Sequence, residues 1–330
     1  MLGIVLPRVR EEPRVLLRYA EESGSSAPAA TASASDAKDA IAGEYPLPSQ
    51  RIKVSVGGEI YDMDLEEYLV GVVAAEMPAS SEPAALMAQA VAARTFAALH
   101  MEGRAVCSHG QEGCDVCGDP YCCQAYLTEA ELRSAWGDGY EKYAERIRSA
   151  VRSTEGIVVV YEGKLISALY HASAGPATEN SEAVFAVALP YLVSVSSNEG
   201  DSQARSLQEF TQEELCAKLN ALFPDAHLAP PLSQSDIDVW GRTESGRVQL
   251  VQIGETVITG QQLRSALGLK STEFTVTVTD TSVRFECVGY GHGVGMSQRG
   301  ANEMAKQGSS YEEILLHYYT GTELARLVYG

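Results

Sequence analysis

The residue whose type and position most strongly suggest chemistry is Glu76. Apolar side chains recur at helical spacing from Leu65 to Val73, and this stripe continues to Glu76. A carboxyl group on a face that packs inward loses hydration, and the negative end of the helix dipole also disfavours its charged form. Both effects raise the pKa of a carboxyl group, which suits a general acid near neutral pH. The alternative is a solvated carboxylate at the end of the helix.

Polar residues interrupt apolar sequence at two further places. Gln89 and Arg94 stand in an Ala-rich helical stretch, where Arg94 either faces a cleft or forms a structural ion pair. The segment YHASAGPATENSE leaves a strand, and its Tyr170, His171 and Ser173 indicate a loop that lines a polar pocket. A Ser-His nucleophile pair is a weaker interpretation, because no G-x-S-x-G elbow surrounds Ser173.

The segment GYGHGVGMSQRGA at 289–301 places four glycines around His292 and then opens a helix. Glycine permits close approach of the backbone to a ligand. The Lys-Ser/Thr pair of a phosphate loop does not follow. We therefore interpret the segment as a loop that brings His292, Ser297 and Gln298 to a polyhydroxylated or amide-bearing ligand. The alternative is a tight structural turn.

Five of the seven cysteines fall between positions 107 and 123. Such clustering points to a metal site or to local disulfides, not to a disulfide framework for the whole chain. The segment supplies His109, a C-x-x-C pair at Cys114 and Cys117, and Cys123 six residues after Cys117. One His with two or three thiolates could bind Zn²⁺ tetrahedrally. Local disulfides, or a zinc site beside one disulfide, are the alternatives.

The chain has 330 residues and a formal net charge of −19, from 25 Lys and Arg against 44 Asp and Glu. So acidic a protein is not expected to follow a phosphate backbone, which argues against nucleic acid as a partner. No apolar stretch approaches the roughly 18 residues of a membrane span, and no export signal or anchor is readable. Residues 1–45, Ala/Ser/Gly-rich over 22–43, are predicted to form a flexible segment and linker, and residues 46–330 one globular body.

Strands and helices alternate irregularly, which favours an α+β fold of mixed helices and antiparallel strands. The sequence RIKVSVGGEIYDM predicts a β-hairpin around Gly57-Gly58. Asp64 is predicted to cap the next helix, Pro78 to end it and Pro83 to start another. Further expectations are a helix at 129–152, a hairpin at 157–171, irregular chain at 196–246 apart from a helix that begins at Thr211, strands at 247–253, 255–260 and 273–279, and helices from Ser297 and Ser310.

Three ordered blocks resemble the stage II sporulation protein D family: LEEYLVGVVAAEMPASSEPAALMAQAVAARTFA, ALYHASAGPATENSE and GHGVGMSQRGANEMAKQGSSYEEILLHYYTG. The resemblance spans about residues 50–325 and implies a peptidoglycan lytic transglycosylase with Glu76 as its catalytic acid/base. Some members hold zinc with one His and two Cys, which Cys117 and Cys123 match here, with His109 or Cys114 as the third ligand. The residues implied to line the substrate groove are Gln89, Arg94, Tyr170, His171, Ser173, His292 and Gln298.

The implied reaction needs one carboxyl group, because the nucleophile is the 6-hydroxyl of the muramic sugar and the product is a 1,6-anhydro ring. The implied substrate is a glycan strand already stripped of stem peptides. A peptidoglycan amidase of the engulfment machinery and its membrane anchor protein are the implied partners. The implied location is outside the cytoplasm, at the cell wall or membrane.

Two rival functions follow from the same residues. One is a glycan-binding and amidase-activating scaffold with weak or no catalysis. The other is a zinc hydrolase, although a Cys-rich ligand set is typical of structural zinc. For the enzyme, we expect the helix of Glu76 and the glycine-rich segment at 289–301 to form opposite parts of one groove.

Overall fold

The computed structural model describes residues 41–330. Positions 1–40 of the predicted flexible segment at 1–45 therefore lie outside the described residues. The strands are β1 (Ile41–Leu47), β2 (Arg51–Val56), β3 (Glu59–Asp64), β4 (Val116–Cys117), β5 (Ile157–Tyr161), β6 (Lys164–Leu165), β7 (Tyr170–His171), β8 (Arg205–Thr211), β9 (Ile237–Arg242), β10 (Val248–Ile253), β11 (Thr256–Thr259), β12 (Glu273–Val278), β13 (Ser282–Val288), β14 (Met296–Ser297) and β15 (Glu323–Tyr329). The helices are α1 (Leu65–Glu76), α2 (Pro83–Met101), α3 (Glu129–Trp136), α4 (Tyr140–Ser153), α5 (Ser181–Phe185), α6 (Gln212–Leu222), α7 (Gly260–Leu267), α8 (Gln298–Lys306) and α9 (Tyr311–Tyr318).

The predicted α+β class is confirmed, because helices accompany several small sheets with antiparallel and mixed pairing. The described chain divides into two compact units. The Glu76 unit comprises residues 41–169 and 304–330, and the His292 unit comprises residues 170–303. The prediction of a single catalytic domain is not confirmed by this division.

In the Glu76 unit, a four-stranded sheet has the order β1-β15-β5-β6. β1 runs parallel to β15, whereas β5 is antiparallel to it. Strand structure is thus already present at Ile41, the first described residue, ahead of the predicted boundary at residue 46. The Ala-rich helix α2 contacts α1, α4, α9 and β5, and its small side chains suit such close packing on several sides.

The elements around Glu76 match the sequence prediction closely. β2 and β3 form the predicted antiparallel hairpin. The side chain of Asp64 caps α1 by accepting hydrogen bonds from the backbone N–H groups of Glu66 and Glu67. Pro83 is the first residue of α2. β4 pairs in parallel with β2, which ties the Cys-rich segment to the hairpin.

Three predictions of local structure were wrong. The helix expected at 129–152 is two helices, because Gly137 has a φ of +50° and ends α3. Tyr170–His171 does not continue the β5–β6 hairpin but pairs in parallel with β14. The segment expected to be irregular at 196–246 contains β8 and β9, whose partners β13 and β10 come later in the chain.

The His292 unit contains two three-stranded sheets, with the orders β11-β10-β9 and β12-β13-β8. Inner residues of these sheets and of α6 and α7 form one hydrophobic core. The short β7–β14 pair holds the segments that begin at Tyr170 and end at Ser297. Over the described residues of both units, we find no helix with the length and apolar character needed to cross a membrane.

Candidate active site

Glu76 is the last residue of α1, and its side chain is half-buried. The backbone N–H of Ala125 donates a hydrogen bond of 2.9 Å to Glu76 Oε1. The next residue, Met77, has extended backbone and leads directly into Pro78, so the predicted helix end is confirmed. Glu76 therefore lies between the two predicted extremes of a fully buried and a solvated carboxyl group, and a peptide N–H fixes one of its oxygens.

The segment that supplies this N–H packs along α1. The amide of Gln124 donates to the hydroxyl of Tyr68 at 3.2 Å, and the rings of Tyr68 and Tyr126 stack with centroids 5.5 Å apart. Gly71 leaves room for Tyr126, because a Cβ there would lie 2.3 Å from that ring. The N–H of Leu127 donates to the Gly71 carbonyl at 3.3 Å. Residues 124–127 are thus fitted to the surface of α1.

Four cysteine thiols meet immediately before this segment. The sulfur atoms of all four lie within 4.8 Å of one another. The separation is 3.8 Å for Cys107–Cys122 and 3.7 Å for Cys122–Cys123. A tetrahedral Zn²⁺ with Zn–S bonds of about 2.3 Å places its sulfur ligands about 3.8 Å apart. The group of four (the thiol cluster) is Cys107, Cys117, Cys122 and Cys123.

Hydrogen bonds within the thiol cluster favour the thiolate form of Cys122, whereas they raise the pKa of Cys117 and of Cys123. The N–H groups of Ser108 and Gly110 donate to the sulfur atoms of Cys122 and Cys107, at 3.3 and 3.1 Å. Hydrogen bonds from Cys117 and Cys123 hold the pKa of Cys122 well below its ordinary value. All seven cysteines are free thiols, so the predicted local disulfides are not formed in this structure. Because thiolates are the metal-binding form of cysteine, the cluster could bind a metal ion.

The predicted ligand His109 lies outside the thiol cluster. Its Nδ1 is hydrogen-bonded to the Asp119 carboxylate at 2.9 Å, and its side chain is 47% exposed. This hydrogen bond raises the pKa of His109. The thiol cluster instead holds Cys107 and Cys122 beside the predicted ligands Cys117 and Cys123. The other predicted alternative, Cys114, packs beside Cys107 across Gly110.

The two polar residues predicted on α2 are both fully buried, Gln89 and Arg94. Arg94 forms an ion pair with Glu66 of α1, with the Nε–Oε1 distance at 2.7 Å. Its Nη1 also donates to the carbonyl of Ile157 in β5 at 3.1 Å. The guanidinium thus joins three elements of the Glu76 unit, α1, α2 and β5. This arrangement is a structural ion pair, one of the two predicted roles of Arg94, and not a position in a cleft.

In the His292 unit, the glycine-rich segment is fastened to the segment after β7. Ser173 and Tyr290 exchange two backbone hydrogen bonds, at 2.7 and 3.0 Å. The N–H of Glu179 donates to the Gly293 carbonyl at 2.8 Å. The structure therefore brings together the two predicted groups of ligand-binding residues in this unit, Tyr170, His171 and Ser173 with His292, Ser297 and Gln298.

Gly293 cannot be replaced without a clash. Its φ is +85°, and a Cβ would lie 2.6 Å from guanidinium atoms of the buried Arg247. Arg247 in turn donates to the carbonyls of Ala174 and Ala177, at 2.8 and 3.0 Å. The glycine at this position thus serves the packing of an internal arginine, in addition to any approach of a ligand.

The hydroxyls of Ser173 and Ser297, both predicted to bind substrate, are directed to the buried carboxylate of Glu199. Ser173 Oγ donates to Glu199, and Ser297 Oγ donates to it at 2.6 Å. The N–H of Ala174 adds a third hydrogen bond at 2.7 Å. Ser173 therefore directs its proton to a carboxylate and not to His171, which disfavours the Ser-His nucleophile interpretation.

His171 and His292 lie next to each other, with ring centroids 5.4 Å apart. His292 Nδ1 accepts from the N–H of Val294, and its Nε2 donates to the carbonyl of Tyr170, each at 3.1 Å. His171 Nδ1 donates to the Val294 carbonyl at 3.2 Å. Burial lowers the pKa of His292 to about 4 and the pKa of His171 well below its ordinary value. These bonds assign one neutral tautomer to each ring.

The neutral histidines predict a loss of stability in weak acid. Because the pKa of His292 falls from 6.5 to about 4 on folding, the unfolded chain binds the extra proton first as pH drops below 6.5. This shift corresponds to roughly 3 kcal/mol of stability present above pH 6.5 and lost by pH 4. We expect the H292Q variant to show a flatter fall in Tm between pH 7 and pH 5 than the unchanged protein. Equal slopes for the two proteins would contradict the assignment.

Comparisons with known proteins identify the family. The family model described as SpoIID, stage II sporulation protein, matches residues 56–161. Stage II sporulation protein D of Bacillus subtilis (strain 168) is 32% identical over 314 residues, which cover 93% of this chain and 89% of that protein. The chain belongs to the stage II sporulation protein D family.

Two further relatives are similar to this chain over most of its length. Stage II sporulation protein D of Bacillus amyloliquefaciens is 34% identical over 268 residues, covering 81% of this chain and 75% of that protein. The amidase enhancer of Bacillus subtilis (strain 168) is 29% identical over 305 residues, covering 78% of this chain and 40% of that protein. The match to the stage II sporulation protein family model includes Glu76 and the thiol cluster, whereas the His292 unit lies beyond it.

Proposed function

We propose that this member of the stage II sporulation protein D family is a peptidoglycan lytic transglycosylase with Glu76 as its acid/base. The supporting observation is the half-buried Glu76 at the end of α1, with Oε1 held by the Ala125 N–H at 2.9 Å. A carboxyl group that is partly shielded from water and fixed in orientation suits proton transfer to a bound substrate.

In the proposed reaction, Glu76 first donates its proton to the oxygen of the bond between N-acetylmuramic acid and N-acetylglucosamine. The carboxylate then accepts a proton from the 6-hydroxyl of the muramic sugar, whose oxygen attacks the anomeric carbon. The glycosidic bond breaks, and a 1,6-anhydro ring forms. No second carboxyl group is needed as base or nucleophile, unlike in most glycosidases.

In the His292 unit, we propose Tyr170 and His292 as the residues that contact the glycan. Both are half-buried, whereas Ser173 and Ser297 are buried and directed to Glu199. The Tyr170 hydroxyl suits hydrogen bonding to sugar hydroxyl and acetamido groups. Both ring nitrogens of His292 are hydrogen-bonded within the protein, so its ring would contact a sugar through its face. His171 and Gln298, both buried, are proposed to support these contacts.

The proposed cofactor is a structural Zn²⁺ in the thiol cluster. Four thiolates with the observed sulfur separations fit a closed tetrahedral site that leaves no position open for a substrate. The ion would supply a cross-link between the chain near Cys107 and the chain near Cys122. It would take no part in proton transfer.

The proposed setting is the remodelling of septal peptidoglycan during engulfment, outside the cytoplasm at the cell wall or membrane. The substrate is a glycan strand from which an amidase of the engulfment machinery has removed the stem peptides; that amidase and its membrane anchor protein are the proposed partners. Similarity to a protein named amidase enhancer supports this partnership. The same relative favours the second candidate function, an amidase-activating scaffold.

Mass analysis of products separates the candidate functions. Denuded glycan strands incubated with the protein should yield fragments that end in 1,6-anhydro-N-acetylmuramic acid. Fragments with reducing ends would indicate a hydrolase and contradict the proposal. An absence of fragments, together with increased activity of an added amidase on intact peptidoglycan, would identify the scaffold instead.

A further inference from the structure

We propose that the thiol cluster acts as a positioning device for Glu76, through the peptide that connects Cys123 to Ala125. The inference rests on the proposed function of Glu76 as the acid/base. It assigns the metal-bound cluster an effect on catalysis, although no metal ligand is a catalytic residue.

The connection is short and direct. Cys123 belongs to the cluster, Gln124 is the next residue, and the N–H of Ala125 donates to Glu76 Oε1. Gln124 is buried, and its amide is hydrogen-bonded to Tyr68 in the second turn of α1. A shift of Cys123 should therefore move a hydrogen-bond donor of the Glu76 carboxyl group.

Tertiary contacts hold the connecting segment in place. Residues 118–128 form no helix or strand, so their backbone is ordered by tertiary contacts, which include those at the two ends. The contacts at one end are with α1, through Tyr68 and Gly71. At the other end the thiol cluster brings together sulfur atoms from Cys107 to Cys123. A bound cation removes the repulsion between thiolates held less than 4 Å apart.

Small displacements at a catalytic carboxyl group have large kinetic effects. A misplacement of about 1 Å can cost roughly 10²-fold in rate. Loss of the cluster should therefore lower kcat while glycan binding, which depends on other residues, is retained. A purely structural metal would instead lower the stability of the protein and leave kcat of the folded fraction unchanged.

The first test compares two variants that interrupt the connection at different points. C123S removes a cluster ligand, and A125P removes the N–H donor but no thiol. Elemental analysis should show about one Zn²⁺ per chain in the unchanged protein and in A125P, and a loss of zinc in C123S. Both variants should lose kcat on denuded glycan by about 10²-fold, with KM within about threefold of the unchanged value.

Two matched controls accompany these variants. A125S keeps the backbone N–H and should retain both zinc and kcat. C216S removes a buried thiol of the His292 unit, outside the cluster, and should also leave zinc and kcat unchanged. Full kcat in zinc-loaded A125P, or in folded C123S that lacks zinc, would overturn the proposal.

Hydrogen exchange of the unchanged protein keeps the proposal testable if a variant does not fold or if no glycan cleavage is found. Removal of zinc by a chelator should increase exchange at the Ala125 amide, and added Zn²⁺ should reverse the increase. The amides within α2 should show no such change, because they lie in a buried helix. Unchanged exchange at Ala125 would overturn the positioning role. Absence of cleavage with a zinc-dependent Ala125 amide would contradict only the proposed function.

Discussion

The E76Q variant is expected to lose cleavage of denuded glycan strands by a factor of about 10²–10⁴, while its fold and glycan affinity are retained. The glutamine amide has nearly the shape of the carboxyl group, and its oxygen can still accept the hydrogen bond from Ala125 N–H. It cannot donate a proton to the glycosidic oxygen and recover one afterwards. Initial rates of release of 1,6-anhydro ends, together with glycan binding by calorimetry, check this expectation.

The matched control is E67Q, on the same helix. Glu67 is exposed in the first turn of α1, so this variant makes the same change of charge without touching the end of the helix. Its rate should stay within about twofold of the unchanged protein, since surface substitutions of this kind have small effects. Retention of more than a tenth of the cleavage rate in E76Q would exclude the general-acid role.

The R94M variant is expected to lower the free energy of unfolding by roughly 3–5 kcal/mol. The Arg94 side chain is fully buried, and its removal leaves the Glu66 carboxylate without its ionic partner beside the core. The loss should appear in urea unfolding followed by circular dichroism. The double variant E66L/R94M removes both charges and should therefore lose less stability than R94M alone.

This measurement also decides between the two predicted roles of Arg94. A side chain that binds glycan would, when replaced, raise KM and leave the stability of the protein unchanged. A structural ion pair gives the opposite pattern, with reduced stability and a normal KM for the folded fraction. A raised KM in a fully stable R94M would contradict the placement of Arg94 in the core.

Features determined by short stretches of sequence could be predicted. The β2–β3 hairpin follows from Gly57-Gly58, and α1 follows from its apolar stripe and from Asp64 as its cap. The capping boxes at Thr211 and Ser310 correctly mark the starts of α6 and α9. The half-buried position of Glu76 at the end of α1 also follows the apolar stripe, which continues to this residue.

Features that depend on partners distant in sequence could not be predicted from the sequence. β8 alternates half-exposed and exposed residues, so its assignment needs β13, which pairs with it from further along the chain. Glu199 and Arg247 become evident only when folding surrounds them with buried hydrogen-bond partners. The meeting of Cys107 and Cys122 with Cys117 and Cys123, and the direction of the His109 ring toward Asp119, depend on the fold of the segment, which spacing does not report.

The position of β15 in its sheet means that this sheet is completed late in synthesis of the chain. β15 lies between β1 and β5, yet the ribosome produces it only after the entire His292 unit at 170–303. Until β15 is synthesised, one edge of β5 has no strand to pair with. By that stage the His292 unit already has all of its own strands. Unpaired strand edges in nascent chains are sites of aggregation. The Glu76 unit is thus the part of the nascent protein that most needs protection until β15 has been made.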